Sequence, residues 1–191
     1  MEEIYNEDYY KFYGHSGSEP YTFKEPWVSF FDHMADKLTE MFVPESVLDA
    51  GCAIGLLVDA FQKQDVYAMG VDVSHYATEQ ASLQGVMGCY QGSLDDLYRF
   101  PRVDLLTCIE VLEHIPAELE GAVIQQLCSK SDRIVFSSTS TDFTEKTHVN
   151  VREQEHWVEL FRGNGFELTE RDVSFICPWA KVFENARKNK V

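Results

Sequence analysis

From Pro26 onward, apolar positions recur at three- and four-residue steps: Trp27, Phe30, Phe31, Met34, Leu38 and Met41. That spacing predicts one amphipathic helix, and Pro26 suits its first turn. The pattern then alternates. The runs "SVLDA" (46–50), "VYAMGVDV" (66–73), "GVMGCY" (85–90), "VDLLTCI" (103–109) and "RIVFSST" (133–139) read as strands. Between them, residues 56–63 read as a helix with Leu57, Ala60 and Phe61 inward. Ser74 can cap a helix that ends before Gly85, and Pro116 opens one with Leu119, Val123 and Leu127 inward. Residues 151–162 form a further helix with Trp157, Leu160 and Phe161 inward, and "FELTERDVSFI" closes with at least one more strand.

Strand–helix alternation of this kind specifies an α/β fold: a doubly wound, mostly parallel, Rossmann-like sheet with helices on both faces. We expect a single domain over residues 1–191. Ligands of such sheets bind outside the carboxyl ends of the strands, so the residues just after each strand are the ones to inspect. Residues 1–25 are different in kind. They hold Tyr5, Tyr9, Tyr10, Tyr13 and Tyr21 and the turn "GHSGSEP". That is too aromatic for pure disorder, and reads as an irregular arm or lid.

Composition narrows the classes. With 191 residues, 45% hydrophobic and 25% charged, the chain is ordinary globular material. No apolar run approaches membrane-spanning length, so no membrane partner is expected. The start "MEEIYNEDYY" is acidic and does not resemble a signal peptide. Five scattered cysteines without a CxxC pair read as reduced thiols in a cytoplasmic protein. The formal net charge of −16 argues against a nucleic-acid partner, which needs a basic surface. A small-molecule acceptor fits better.

The stretch "VLDAGCAIGLLVDAF" (47–61) runs from strand through turn into helix. A dinucleotide fingerprint GxGxxG would need glycine at positions 51, 53 and 56, but 53 is Ala and 56 is Leu. The pattern acid-x-Gly-x-Gly-x-Gly fits through Asp49, Gly51 and Gly55, with Ala53 in the middle position. Glycines there let the backbone approach a ligand, and the following helix start offers free amides. Asp72, at the end of the second strand, can accept both hydroxyls of a ribose.

With "GVDVS", "QGSLDDL" and "DLLTCIEVLEHIP" following in order, residues 40–175 resemble a class I S-adenosylmethionine (SAM)-dependent methyltransferase. The motif "EVLEHIP" is similar to that of small-molecule enzymes, including ubiquinone-pathway and sugar methyltransferases. The resemblance implies SAM as cofactor. It counts Asp49 among the cofactor-binding residues and places Gly51, Ala53 and Gly55 at the methionine part, Asp72 at the ribose, Val73 beside the adenine, and Ser93 and Leu94 at the adenine edge. Two residues depart from the pattern. Ala53 carries a methyl where many relatives have none, and Ser93 stands where an aspartate often accepts from the adenine amino group.

Methyl transfer is largely a matter of placement, but a hydroxyl or amine acceptor can also need a base. Candidates are Glu113, His114 and His148, with Glu110 beside them. Glu110, Glu113 and His114 share a face if their segment is helical. His148 follows the fifth strand, on the same sheet edge. The set resembles the metal site of small-RNA 3′-terminal 2′-O-methyltransferases. A divalent metal is therefore an alternative here, ranked below a base or substrate-contact role. The leading function is methyl transfer to an oxygen or nitrogen of a small polar acceptor such as a sugar, suggested by the polar loop "TSTDFTEKTHVN". The alternatives are a metal-assisted RNA 2′-O-methyltransferase and a SAM-binding module without catalysis.

Overall fold

The computed structural model describes residues 4–12 and 20–187. Tyr13 and most of "GHSGSEP" lie outside the described residues. The α-helices among the described residues are α1 (Glu7–Phe12), α2 (Trp27–Phe42), α3 (Leu56–Gln62), α4 (His75–Leu83), α5 (Glu120–Lys130) and α6 (Gln154–Gly163). The strands are β1 (Ser46–Ala50), β2 (Tyr67–Asp72), β3 (Cys89–Gln91), β4 (Leu105–Ile109), β5 (Arg133–Ser137), β6 (Phe166–Leu168) and β7 (Lys181–Asn185). They form a seven-stranded sheet in the order β3-β2-β1-β4-β5-β7-β6. The sheet is mostly parallel, as expected. The chain divides into two compact units, Met1–Ser93 and Leu94–Val191.

In the first unit β1 pairs with β2 and β2 with β3, all parallel. Val47, Leu48, Asp49 and Ala50 of β1 are all buried, the signature of a strand covered on both faces. The α2 helix begins where Pro26 suggests, but its buried residues are Met34, Ala35, Leu38 and Phe42. Phe30 is exposed and Trp27, Phe31 and Met41 are half-buried, so the inward stripe is rotated from the expected one. Ser74 caps α4 by accepting the Ala77 N–H at 3.0 Å. The expected strand 85–90 starts only at Cys89. Gly85 (φ 84°) and Gly88 (φ 78°) take left-handed conformations that interrupt it.

In the second unit β4 and β5 are parallel, whereas β7 runs antiparallel to both β5 and β6. The expected helix after Pro116 starts at Glu120. The preceding residues make a turn instead, with the Leu119 N–H on the Pro116 carbonyl at 2.8 Å. The core here is aromatic. Phe136 of β5 meets Trp157 and Phe161 of α6 edge-on, and Phe161 stacks on Phe183 of β7 at 4.1 Å.

Candidate functional site

Two polar constellations stand out, one in each unit. The first is the turn from β1 into α3. Its backbone alternates into the left-handed region at Gly51 (φ 86°), Ala53 (φ 48°) and Gly55 (φ 85°). The amides of Gly51 and Cys52 both donate to the Val71 carbonyl of β2, at 2.8 and 3.1 Å. Asp72 completes the turn. One carboxylate oxygen accepts the Ala53 N–H and the other the Ser74 N–H, each at 2.8 Å. Burial pushes the Asp72 carboxyl above its usual range, and the two amide bonds partly offset this. Thus Ala53 adopts the conformation a glycine would supply, held there by Asp72.

Asp49 is buried in β1. Val73 is half-buried, with its carbonyl accepting from Gln91 Nε2 at 3.4 Å. Ser93 is the last residue of the first unit. Leu94 is buried at the start of a 3₁₀ segment, Leu94–Arg99, in the second unit.

The N-terminal segment is not irregular throughout, because Glu7–Phe12 is helical. Burial explains the difference. Tyr9 and Tyr10 join Ile54, Leu56 and Ala77 in one apolar cluster, flanked by Tyr5, Tyr21, Trp27, Phe31, Ala53 and Tyr76. Tyr10 stacks on Tyr76 at 5.7 Å. Ser74 Oγ donates to the Tyr5 carbonyl, tying the arm to the loop after β2. Burial, and then the Asp72 charge, push the Tyr10 hydroxyl well above the usual range. Burial raises Tyr21 likewise, with Asp49 the next cause.

The second constellation lies after β4 and β5. The segment "EVLEHIP" is not an α-helix. Glu110 sits at φ 52° and only Leu112–His114 forms a 3₁₀ turn, so Glu110 does not share a helical face with Glu113 and His114. Glu113 is fully buried. Its Oε2 accepts the Ser138 hydroxyl at 2.9 Å, and Oε1 accepts the Thr139 N–H at 3.4 Å. Burial, followed by the charge of Glu110, raises its carboxyl well above the ordinary range.

His114 and His148 meet edge to face, with ring centroids 4.7 Å apart. Burial and then His148 lower the His114 imidazole to about 4. Each histidine places Nδ1 on a backbone carbonyl, His114 on Thr147 at 3.3 Å and His148 on Asp142 at 2.8 Å. As Nδ1–H donors, both keep Nε2 for other work. One ligand atom each from Glu113, His114 and His148 lies within 4.8 Å of the others. The structure therefore brings the three expected residues together. His148 Nε2 also faces Glu145 Oε2 at 3.4 Å, and Asp142, Glu145 and His148 form a second such group.

Several participants were missed from sequence. The hydroxyl-rich run 138–144 was a signal for Ser138 and Thr139. Nothing flagged Trp179, whose indole N–H donates to Glu110 Oε1 at 2.8 Å. Asn150 is buried and spans two elements. Its N–H reaches the Glu113 carbonyl at 2.9 Å, and its Nδ2 reaches Glu120 of α5 at 2.9 Å. His156 of α6 also binds Glu120, at 2.9 Å.

The ubiquinone biosynthesis O-methyltransferase of Histophilus somni (strain 2336) is 31% identical over 124 residues, 59% of this chain and 50% of that protein. The chain thus spans about half the length of the curated relatives it matches. Magnesium protoporphyrin IX methyltransferase from Synechocystis PCC 6803 has a similar fold, with TM-score 0.64 at 19% identity, covering 93% of this chain and 95% of that one. So does the sugar N-methyltransferase KedS8 from Streptoalloteichus sp ATCC 53650, with TM-score 0.65 at 11% identity, covering 84% and 88%. The family model described as a methyltransferase domain matches residues 27–171, and the chain belongs to that family.

Proposed function

We propose that this chain transfers a methyl group from SAM to an oxygen or nitrogen of a small polar acceptor. The observation that carries this reading is Asp72, which braces the left-handed turn while retaining acceptor capacity. Each of its oxygens accepts one backbone N–H, leaving lone pairs for the two ribose hydroxyls. The left-handed turn through Gly51, Ala53 and Gly55, with Asp49 in the strand that leads into it, is assigned to the methionine part. Val73 and Ser93 are assigned to the adenine side. The tyrosines of the arm pack on Ala53 and Ile54, and their faces suit a sulfonium cation. Bound there, SAM would supply an electrophilic methyl on a sulfonium that leaves as a neutral thioether. The protein's task is then to position the acceptor, exclude water and receive a proton.

Glu113, His114 and His148 are assigned to the acceptor. His148, with Nδ1–H on the Asp142 carbonyl, presents Nε2 as the proton acceptor. The surrounding hydroxyls support a polar acceptor of carbohydrate type. The curated relatives named for ubiquinone biosynthesis and the neighbour named for a sugar both act on small molecules by their names. The net charge of −16 disfavours the RNA alternative.

A second reading adds a divalent cation on Glu113, His114 Nε2 and His148 Nε2. One observation favours it: one ligand atom each from Glu113, His114 and His148 lies within 4.8 Å of the others. Incubation with SAM and a panel of sugars, amino sugars and phenols, read as S-adenosylhomocysteine formed, tests the function. Turnover in chelator supports the base, and turnover restored only by Mg²⁺ or Mn²⁺ supports the metal. SAM binding without turnover across the panel would support a module without catalysis.

A further inference from the structure

Two glycines of the first unit are shaped around two thiols. A Cβ on Gly70 would lie 2.6 Å from both Cβ and Sγ of Cys52. A Cβ on Gly55 would lie 2.9 Å from Cys89 Sγ. Gly70 of β2 is also the register partner of Cys89 of β3, and paired residues project to the same face of a sheet. The Cys52 side chain therefore occupies the space above Gly70, next to Cys89. Cys52 Sγ donates to the Ala53 carbonyl at 3.7 Å, and the neighbouring Cys89 thiol, ahead of burial, raises the Cys52 thiol well above its usual range. Cys52 is buried and Cys89 half-buried.

We infer that Cys52 and Cys89 form a reversible disulfide on exposure to a peroxide, cross-linking the β1–α3 turn to β3. The half-buried Cys89 meets the oxidant first. Its thiolate sulfur attacks one peroxide oxygen, the O–O bond breaks, and hydroxide leaves to give a sulfenic acid. The Cys52 sulfur then attacks the Cys89 sulfur, its proton passes to the departing oxygen, and water leaves. Two thiols and one peroxide become one disulfide and two waters. Other thiols are poorer competitors. Cys108 is fully buried, and burial pushes Cys128 up to about 12 and Cys177 up to about 11.

The bond has a consequence for the turn. To bond, the two sulfurs must close to about 2.05 Å. Cys52 lies between Gly51 and Ala53, so this movement displaces the Ala53 amide relative to Asp72. This part rests on the proposed SAM site, and we expect the oxidised protein to bind SAM about tenfold more weakly.

Intact mass after treatment with hydrogen peroxide should fall by two hydrogens. Dithiothreitol should reverse the loss, Cys89→Ser should abolish it, and digestion should yield a peptide linking Cys52 to Cys89. An unchanged mass, or a link between other cysteines, overturns the disulfide. Calorimetry with SAM on reduced and oxidised protein reads the second part separately. A disulfide that leaves SAM affinity unchanged overturns the control of the turn. A reduced protein that binds no SAM overturns that control together with the cofactor reading, while the disulfide stands on mass alone.

Discussion

The side chain of Asp72 holds the backbone of Ala53: its carboxylate accepts the Ala53 N–H at 2.8 Å while that residue stands at φ 48°. A left-handed L-residue costs about 1–2 kcal/mol, and a hydrogen bond to a charged acceptor returns about 1.5–3 kcal/mol. The carboxylate is thus sufficient to keep an alanine where the motif more often has glycine. Ala53→Gly should relieve the strain and stabilise the protein by about 1 kcal/mol in denaturant melts, after the loss to unfolded-chain entropy. SAM affinity should stay within about threefold of the parent. A destabilised Ala53→Gly variant would contradict this account of the turn.

Tyr10 belongs to the core of the first unit as well as to the arm. Tyr10→Ala should cost about 3 kcal/mol, as large aromatic truncations do. Tyr10→Phe, which removes only the hydroxyl, should cost about 1 kcal/mol. Equal costs for the two variants in urea melts would show that the ring is not packed.

Glu113 and His114 make opposite contributions to the pH dependence of stability. The Glu113 carboxyl is raised in the fold, so the folded state binds its proton more tightly than the unfolded chain. The associated stability is present below the ordinary carboxylate range and is lost as pH rises through the folded pKa, well above 4.5. Glu113→Gln keeps the shape and removes the buried charge. It should melt higher than the parent at pH 8 in chelator, with the gap closing in acid. A variant that melts lower at pH 8 would show that the charge is compensated.

The imidazole of His114 is lowered from 6.5 to about 4. Its contribution is therefore present above pH 6.5 and is lost as pH falls toward 4. By the linkage constant this is worth about 3 kcal/mol. In chelator, His114→Gln should lose less stability over that interval than the parent. Parallel pH profiles would contradict the assigned burial.

Legibility of the fold tracked how local each signal was. The strands β1, β4 and β5 are buried apolar runs of five residues and were read to within two or three positions. The β7 strand, "KVFEN", carries only two apolar residues, Val182 and Phe183, between polar flanks. Only its pairing between β5 and β6 makes it a strand, so nothing local announced it. The same limit applies to α2. Periodicity found the helix, but the side facing the sheet is set by which residues meet the core, and Phe30 lost to Ala35.

The candidate site divides similarly. Asp49, Gly51, Gly55 and Asp72 were visible because a turn and a strand end impose fixed spacings. The grouping of Glu113, His114 and His148 was visible from topology, since both loops follow parallel neighbours β4 and β5. The 3₁₀ turn at 112–114 and the left-handed Glu110 were not visible, because their conformation depends on Ser137, whose carbonyl and hydroxyl take the Glu110 N–H at 3.0 and 3.1 Å. Trp179 lies 69 residues from Glu110 in the chain, beyond any local pattern.

The assignment of Asp72 to the ribose of SAM is tested most directly by calorimetry of SAM against the parent and Asp72→Ala. The parent should bind, and the variant should bind at least about tenfold more weakly, the value of one or two hydrogen bonds to a charged group. A melting curve recorded alongside should show that the variant still unfolds cooperatively. An Asp72→Ala protein that folds and binds SAM as tightly as the parent would contradict the assignment.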